Sequence, residues 1–256
     1  MTDKPAVADE ASADSIITAA VLVIGDEILS GRTKDKNIGF IADYCTTIGI
    51  DLKEVRIVPD EEDKIIEAVN TLRAGYTYLF TTGGIGPTHD DITADSVAKA
   101  FGLPIDVDPR IVEIMKTRMP DREITPARLR MARVPEGADL IDNKVQGLPG
   151  FSVENVYVMA GVPSVMQGMF DVIAPTLKTG KKMLSETLDA GRPESMIAEP
   201  LGAIQKAHPD TVIGSYPYIE DGRFATRIVV RARDEAVLKA VAGEVEAMLA
   251  TLPLPK

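Results

Sequence analysis

Residues 79–93 read LFTTGGIGPTHDDIT, a stretch in which an apolar run passes through three glycines and two adjacent carboxylates into a helical pattern. Glycine lets backbone N–H groups approach a ligand closely, and the N-terminus of a helix attracts anions. The stretch therefore predicts a phosphate site formed by Gly83, Gly84 and Gly86 at a strand-to-helix junction. We expect Thr93 to be the N-cap of the helix that follows.

Two common glycine motifs do not fit this stretch. The dinucleotide fingerprint needs a third glycine where His89 stands, and a Walker A loop needs a lysine, which is absent between Arg73 and Lys99. A turn without a ligand remains an alternative, but it explains the glycines and not the adjacent Asp90 and Asp91. Because carboxylates repel a phosphate, this pair predicts a divalent cation between them and the ligand.

Composition limits the classes of function. With 256 residues, of which 45% are hydrophobic, the chain has enough apolar side chains for a proper core. Its formal charge of −11 argues against nucleic-acid partners and anionic membranes, and no apolar run reaches transmembrane length. A single cysteine, Cys45, predicts a buried thiol and a cytoplasmic location, and two histidines are too few for a histidine metal site. Any metal should therefore have oxygen ligands.

Outward from residues 79–93, apolar runs alternate with amphipathic helical patterns, which indicates an α/β domain over residues 16–178 with helices on both faces of a mostly parallel sheet. Residues 1–15, rich in Ala, Asp, Glu and Ser, are predicted to be a disordered tail. The predicted strands are Ile16–Ile24, Leu52–Val58, Tyr76–Thr82 and Val153–Met159, and the predicted helices are Lys36–Ile48, Glu61–Ala74, Ile111–Arg118 and Pro126–Arg133.

The pattern changes over residues 181–256, which predict a small α+β domain of split-βαβ type. Its strands are expected at Lys181–Leu188, Thr211–Tyr216 and Phe224–Arg233, with a hairpin turn from Glu220 to Arg223, and its helices at Glu194–Ala207 and Asp234–Leu252. This domain carries no glycine and carboxylate site of its own. We interpret it as a substrate-side or oligomerisation module.

The loops that follow parallel strands meet at one edge of the sheet, which is where α/β folds bind ligands. Gly25, Asp26 and Glu27 follow the first predicted strand, Asp60 follows the second, and Thr82 ends the third. Helix-dipole preference alone also favours acids at such positions, but we interpret Asp26, Glu27 and Asp60 as ligand or metal residues. Glu61 to Asp63 are interpreted as solvated.

A second strand-to-helix junction, residues 160–164, should reach the same edge. Its Gly161, Pro163 and Ser164 are candidates for phosphate binding, with Ser164 able to cap the helix instead, and a turn without a ligand is an open alternative. The cationic side of a phosphate pocket could come from arginines that equally fit a solvated helix face: Arg128, Arg130 and Arg133.

The run Thr81–Pro87 followed by Asp91-Ile92-Thr93 resembles the phosphate loop of the MoaB/MogA molybdopterin-binding superfamily. The order from Gly25 to Gly102 is similar to its CinA-like branch, the N-terminal part of competence/damage-inducible protein A. The runs 88–91 and 131–137 also resemble the molybdopterin-binding-like domain of FAD synthases, and residues 213–217 resemble the small middle domain of CinA proteins.

This resemblance implies a metal-dependent pyrophosphatase that cleaves ADP-ribose or FAD and releases AMP. It places Asp60 and Asp91 in the catalytic acidic site, with either Asp26 or Glu27 as a further ligand to Mg, Mn or Co. The alternatives are a molybdopterin-binding protein of molybdenum cofactor biosynthesis and a catalytically silent nucleotide or pterin-binding module. A homo-oligomer is expected, since dimers or trimers are usual in the superfamily.

The resemblance also implies two differences from the family. The CinA deamidase domain has no room in this chain, so deamidation is expected to be absent. Ala160 stands where the family usually has proline, and Leu148 replaces a small residue, so the second phosphate loop departs from the usual pattern.

Overall fold

The computed structural model describes residues 16–143, 147–220 and 222–253. The predicted tail at residues 1–15 and Asp221 of the predicted hairpin turn lie outside these ranges. The chain divides into two compact units between Gly180 and Lys181. No helix among the described residues combines the length and the apolar character needed to cross a membrane.

The larger unit is built on a six-stranded sheet in the order β2-β1-β3-β8-β7-β6. The four strands from β2 to β8 are mutually parallel, and β7 and β6 extend the sheet in antiparallel pairing. A separate antiparallel pair is formed by β4 and β5. The strands are β1 (Ile17–Ile24), β2 (Ile50–Val58), β3 (Tyr78–Thr82), β4 (Ile105–Val107), β5 (Arg133–Pro135), β6 (Asp139–Ile141), β7 (Gly150–Val153) and β8 (Val156–Met159).

Seven helices accompany these strands in the described part of the unit. They are α1 (Asp26–Leu29), α2 (Asn37–Ile48), α3 (Glu62–Gly75), α4 (Thr93–Phe101), α5 (Pro109–Arg118), α6 (Pro126–Arg130) and α7 (Pro163–Ile173). Glycine ends α2 and α4 in the left-handed conformation, at Gly49 (φ 83°) and Gly102 (φ 66°). Each of these two glycines is therefore the C-cap of its helix.

The sheet separates two hydrophobic cores because successive side chains of a strand point to opposite faces. Ala20, Leu22 and Ile24 of β1 pack with buried residues of α3, α4 and α5, whereas Val21 and Val23 pack with α2 and α7. Both sets are almost completely buried. The predicted three-layer α/β architecture with a mostly parallel sheet is confirmed.

Two predicted elements are wrong in detail. The predicted strand Val153–Met159 is interrupted by the turn of a hairpin: β7 ends at Val153 and β8 begins at Val156. In this turn Glu154 adopts φ 50°, and the side-chain amide of Asn155 donates to Arg73 O (2.9 Å) and Tyr76 O (3.1 Å). The predicted helix Pro126–Arg133 stops at Arg130, and the chain then turns so that Arg133–Pro135 pairs with β4. Both errors arose where a local turn interrupts an otherwise continuous apolar pattern.

The smaller unit has a three-stranded antiparallel sheet in the order β10-β11-β9. Its elements are β9 (Leu184–Asp189), α8 (Glu194–Ala207), β10 (Val212–Glu220), β11 (Arg223–Ala232) and α9 (Glu235–Thr251). Ile228 and Val230 of β11 are fully buried against α8 and α9. Asp234 caps α9 by accepting from the N–H groups of Ala236 and Val237. The predicted small α+β region is confirmed.

Candidate functional site

The candidate site lies at the carboxyl edge of the parallel strands, where the loops after β1, β3 and β8 meet. Two hydrogen bonds fix the start of these loops: the N–H of Gly25 donates to Val58 O (3.1 Å), and the N–H of Gly83 donates to Met159 O (3.2 Å). Each loop therefore leaves the sheet tied to the end of a neighbouring strand. Gly25 is buried and serves this backbone contact.

The glycine loop after β3 requires glycine at two successive positions. Gly83 has φ 103° and Gly84 has φ 66°. A Cβ on Gly83 would lie 2.1 Å from Ile24 O, and one on Gly84 would lie 2.1 Å from Thr93 Oγ1. Among the described residues, the N–H groups of Gly84 and Ile85 have no hydrogen-bond partner. Two free donors in a glycine turn form a concavity suited to an anion.

Thr93 does not cap α4, contrary to prediction. The helix begins at Thr93 itself, and Ile92 occupies the N-cap position without a side-chain cap. The buried Thr93 hydroxyl donates to Gly83 O (3.0 Å), and its N–H donates to Gly84 O (3.0 Å). Thr93 therefore holds the glycine loop through two hydrogen bonds. The sequence did not predict this role because the helix begins one residue earlier than expected.

Asp91 closes the second half of the loop. Its Oδ1 accepts from the N–H of Gly86 (2.6 Å), and its Oδ2 accepts from the N–H and the hydroxyl of Thr88 (2.8 and 2.5 Å). A Cβ on Gly86 would lie 2.6 Å from Asp91 Oδ2, so the carboxylate packs directly on the glycine. Asp91 thus stabilises the segment from Gly86 to Thr88 through these hydrogen bonds.

An acidic cluster surrounds Asp60. Its Oδ2 accepts from the N–H of Asp26 (2.9 Å). Burial raises the pKa of Asp60, the Asp26 hydrogen bond lowers it, and the negative charges of Asp26, Glu27 and Asp90 raise it further. Within the described ranges, no lysine, arginine or histidine forms an ion pair with Asp60. Of the two adjacent aspartates, the structure therefore brings Asp90 towards Asp60, while Asp91 turns into the loop.

A cavity of about 460 Å³, the larger of the two at this edge and therefore called the main cavity, opens beside the glycine loop. Its polar lining includes Arg130 and the Arg133–Asp95 pair, in which Nη2 and Nη1 of Arg133 lie 2.7 and 3.0 Å from the two Asp95 oxygens. Arg128 does not line it and instead donates to Glu123 O (3.0 Å). The apolar lining is Ile85, Pro87, Ala94, Met131, Val134, Leu148, Pro149, Phe151, Ala160, Val162, Val165 and Met169.

A second, small cavity of about 60 Å³ lies on the other side of Gly83. It is lined by Asn37, Thr82 and Gly83 among others, and it shares Glu27, Gly83 and Gly161 with the main cavity. Asn37 is 3% exposed and its Nδ2 donates to Gly161 O (2.9 Å). Sequence reasoning did not single out Asn37 as a site residue, because an asparagine at a helix start has an ordinary structural explanation.

The second junction is partly what was predicted. Gly161 approaches the glycine loop so closely that a Cβ there would lie 3.2 Å from Gly83 Cα, and Pro163 lines the small cavity. Ser164 is exposed and lines neither cavity, and Val162 occupies the N-cap position of α7 without a side-chain cap. The predicted cap by Ser164 is therefore wrong, because the helix begins one residue before it, at Pro163.

Cys45 and the two histidines line neither cavity. Cys45 is buried, and burial raises the pKa of its thiol to about 12. His89 is almost fully exposed, and His208 pairs with Glu244 in the smaller unit. In the part of the chain that the structure describes, no group of three or more histidine, cysteine or acidic side chains is arranged to hold a metal ion by itself.

Two family descriptions match the chain, one for each unit. "Probable molybdopterin binding domain" matches residues 20–179, and "FAD synthase, middle domain" matches residues 182–253. The first match includes the glycine loop, the acidic cluster and both cavities. The second covers all five elements of the smaller unit.

Individual proteins agree with this assignment. A CinA-like protein of Desulfosudis oleivorans is 35% identical over 75% of this chain and 49% of its own length. A probable FAD synthase of Caenorhabditis briggsae is 28% identical over 88% of this chain and 48% of its own length. The chain thus spans about half the length of these two relatives.

Among solved structures, the protein CinA from Thermoplasma acidophilum is similar with a TM-score of 0.59 and 30% identity, over 63% of this chain and 98% of that chain. The resemblance to the CinA-like branch of the MoaB/MogA superfamily is therefore confirmed. The smaller unit, which the sequence related to the middle domain of CinA proteins, matches the middle domain of FAD synthase.

Proposed function

The chain belongs to the family of probable molybdopterin-binding domains, and from this premise we propose that it hydrolyses the diphosphate of ADP-ribose or FAD and releases AMP. The observation that carries the proposal is the juxtaposition of a glycine loop with two free N–H donors and an acidic cluster around Asp60. The loop attracts an anion, whereas the cluster repels one. The two are compatible when a cation lies between them.

The donor set fits a divalent cation that is shared with the substrate. Mg²⁺ commonly binds one or two protein carboxylates and completes its coordination with water and substrate phosphate oxygens. Two of Asp60, Asp26 and Glu27 would supply the carboxylates. When bound, Mg, Mn or Co would neutralise phosphate charge and lower the pKa of a coordinated water.

The proposed reaction consumes one water. The water oxygen forms a bond to one phosphorus, the bond between that phosphorus and the bridging oxygen breaks, and the water protons are released to a base and to solvent. ADP-ribose would give AMP and ribose 5-phosphate, and FAD would give AMP and FMN. The N–H groups of Gly84 and Ile85 would hold the phosphate oxygens on which charge develops.

Where Asp26 and Glu27 hold the metal, Asp60 would be left as the proton acceptor. Its Oδ2 accepts from the N–H of Asp26, and its pKa is raised, first by burial and then by three negative neighbours. A base is more effective when its pKa moves towards the working pH. The carboxylate of Asp91 is already engaged by three donors of the loop, so its contribution would be to keep Gly86 and Thr88 in place. Its assignment as a metal ligand remains a prediction.

The main cavity supports a ring-bearing ligand. Its volume of about 460 Å³ lies within the usual range of small-molecule sites, which are mostly apolar with a few placed polar groups. Arg130 and the Arg133–Asp95 pair provide those polar groups at one side. One half of a dinucleotide, or the pterin of a pterin phosphate, suits this lining.

The second candidate function is binding of molybdopterin or a precursor without hydrolysis, which the family description favours. Such a protein would need the glycine loop and the main cavity but not the acidic cluster. The two functions therefore differ in what Asp60 does.

The decisive experiment measures AMP release by chromatography from ADP-ribose, FAD and NAD, with Mg²⁺, Mn²⁺, Co²⁺ or EDTA. We expect metal-dependent AMP release by the wild type, its loss in Asp60→Asn, and its retention in Asp43→Asn, an exposed aspartate on α2 outside both cavities. Absence of AMP with tight binding of a pterin phosphate would establish the second function. Absence of both would refute the two together.

A further inference from the structure

The three-stranded sheet of the smaller unit has one face covered by helices and one exposed face. Ile228 and Val230 of β11 are buried against α8 and α9. Successive side chains of a strand point to opposite sides, so Arg227, Val229 and Arg231 point away from both helices. Arg227 and Arg231 are exposed, and Val229 is half-buried. We call this side of the sheet the outer face.

Tyr216 of β10 lies on the outer face with a free ring. The strand register pairs Tyr216 with Arg227 and Gly214 with Val229. Tyr216 is 51% exposed, and its side chain forms no hydrogen bond, aromatic contact or cation–π contact with the described residues. A Cβ on Gly214 would lie 3.0 Å from Tyr216 Cε2 and 3.1 Å from its hydroxyl oxygen, so the ring leans along β10 over Gly214. Glycine leaves room for this orientation, and the rest of the ring is open to an aromatic ligand.

The other polar groups of the outer face differ in whether they have partners. The hydroxyl of Tyr218 donates to Asp189 Oδ2 (2.6 Å), and Arg227 Cζ lies 4.6 Å from the centroid of the Tyr218 ring. The side chain of Arg231, by contrast, forms no ion pair or hydrogen bond with the described residues, and its register partners on β9 and β10 are uncharged. The outer face thus carries a cation without a counter-charge on the same side as an aromatic ring without a partner.

The formal charge of −11 is unevenly distributed along the chain. Residues 181–256 contain 10 basic and 11 acidic residues, whereas residues 1–180 contain 18 basic and 28 acidic ones. The unit that carries the outer face is therefore nearly neutral. Charges in solution are screened over about 8 Å at physiological ionic strength, so a phosphate on this face is governed by the arginines beside it rather than by distant acids. The overall charge does not exclude an anionic polymer at this face.

We propose that the outer face binds a single-stranded nucleic acid, with a base stacked on Tyr216 and the neighbouring phosphates paired with Arg227 and Arg231. Proteins that bind single strands without sequence preference combine cationic side chains along the backbone with aromatic rings on which bases stack. An open sheet face suits such a strand, because its unstacked bases can be splayed out. The Cα atoms of Arg227 and Arg231 lie roughly 13 Å apart along β11, and the ring of Tyr216 leans into the stretch between them. A duplex does not suit this arrangement, since its bases are already stacked on one another.

The test measures the Kd of a fluorescein-labelled single-stranded oligoadenylate by fluorescence anisotropy at several NaCl concentrations. Loss of one stacked ring should weaken binding about 5-fold or more, so Tyr216→Ala should show this loss and Tyr216→Phe should keep the wild-type affinity. The logarithm of the binding constant should fall with the logarithm of the salt concentration with a slope of about −1.4, the value for two neutralised phosphates of a single strand. Arg231→Gln should change this slope to about −0.7, whereas Tyr216→Ala should leave it unchanged.

Two variants of the same unit serve as matched controls. Phe224→Ala removes an aromatic ring that is 65% exposed but lies on the opposite side of β11 from Arg227 and Arg231. Lys206→Gln removes one positive charge from an exposed position on α8. Both controls should match the wild type in affinity and in slope.

Several outcomes would overturn the proposal. They are no binding of the single strand by the wild type, equal affinity for the single strand and for its duplex with oligouridylate, equal losses in Tyr216→Ala and Phe224→Ala, and equal slopes in Arg231→Gln and Lys206→Gln. Binding of polyglutamate in place of the single strand would instead assign the outer face to an acidic protein. A lower sedimentation mass of Tyr216→Ala than of the wild type would show that a second copy of the chain covers this face.

Discussion

Replacing Gly84 with alanine should disturb the glycine loop through one identifiable contact. Gly84 adopts φ 66°, and an added Cβ would lie 2.1 Å from Thr93 Oγ1, well inside van der Waals contact. Thr93 would have to rotate, and its hydroxyl would then lose the hydrogen bond to the buried Gly83 O. The substitution thus combines backbone strain with the loss of a buried hydrogen bond.

Gly102 allows the two effects to be separated. It has the same φ of 66° as Gly84, but an added Cβ would meet no atom within 4 Å. Left-handed strain costs an alanine about 1–2 kcal/mol, so Gly102→Ala should lose about that much stability. Gly84→Ala should lose a further 1–3 kcal/mol or so, the usual cost of leaving a buried acceptor unpaired. The expected difference between the two variants is therefore about 1–3 kcal/mol.

Urea unfolding would measure these free energies, with AMP release as the functional readout. The double variant Gly84→Ala with Thr93→Ala completes a cycle, because removing the hydroxyl removes the atom at 2.1 Å. Its loss should fall short of the sum of the single losses by about 1–3 kcal/mol. Gly84→Ala should also lower AMP release, since the free N–H groups shift, whereas Gly102→Ala should leave it unchanged.

Equal destabilisation by Gly84→Ala and Gly102→Ala would refute this reasoning, since the contact with Thr93 would then cost nothing. Strict additivity in the double variant would refute it independently. Either result would mean that the loop relaxes around a side chain, and the glycine requirement at Gly84 would reduce to its backbone conformation alone.

Three further predictions concern single side chains. Asp60→Asn should abolish AMP release yet be at least as stable as the wild type at pH 7. Because the pKa of Asp60 is raised in the folded state, ionisation of its carboxyl group disfavours folding. The wild type should therefore lose more stability than the variant as the pH rises from about 4. Parallel pH-stability curves for the two proteins would contradict this. Asp91→Asn should lose about 1–3 kcal/mol in urea unfolding, since an amide can accept from fewer of the three donors that hold the loop; unchanged stability would exclude the bracing role. Cys45, with a thiol pKa of about 12 from burial, should resist a maleimide reagent at pH 8 until the protein is unfolded, and rapid labelling of the native protein would show that the thiol is accessible.

Much of the fold was predictable because its signals are local. The helices α2 and α3 and the strands β1 and β3 follow from apolar periodicity, and the observed bounds differ from the predicted ones by at most two residues. The hairpin of β7 and β8 was not predictable in the same way. Its turn depends on φ 50° at Glu154, a residue with no turn preference, and on the partners that Asn155 finds in another part of the chain.

The site, like the fold, has features that the sequence predicts and features that depend on contacts in the folded protein. Strand order predicted that Asp26, Glu27 and Asp60 would gather at one edge, since parallel strands bring their ends together. Adjacency in sequence could not tell which of Asp90 and Asp91 turns towards Asp60, because that depends on the N–H groups that Asp91 meets in the folded loop. The hydrogen bond from Asn37 to Gly161 O was not predictable, since it joins residues that are far apart in the sequence.

The position of β1 between β2 and β3 has a kinetic consequence. Its partners are β2, which begins at Ile50, and β3, which ends at Thr82, and neither can pair with it before the intervening helix has reversed the chain. At usual rates of synthesis, Thr82 is added roughly 3–12 seconds after β1 is complete. During that interval β1, whose eight side chains are nearly all destined for burial, lacks its partner strand along one edge. The nascent chain should therefore be most vulnerable to aggregation, and most in need of a chaperone, between the synthesis of its first and third strands.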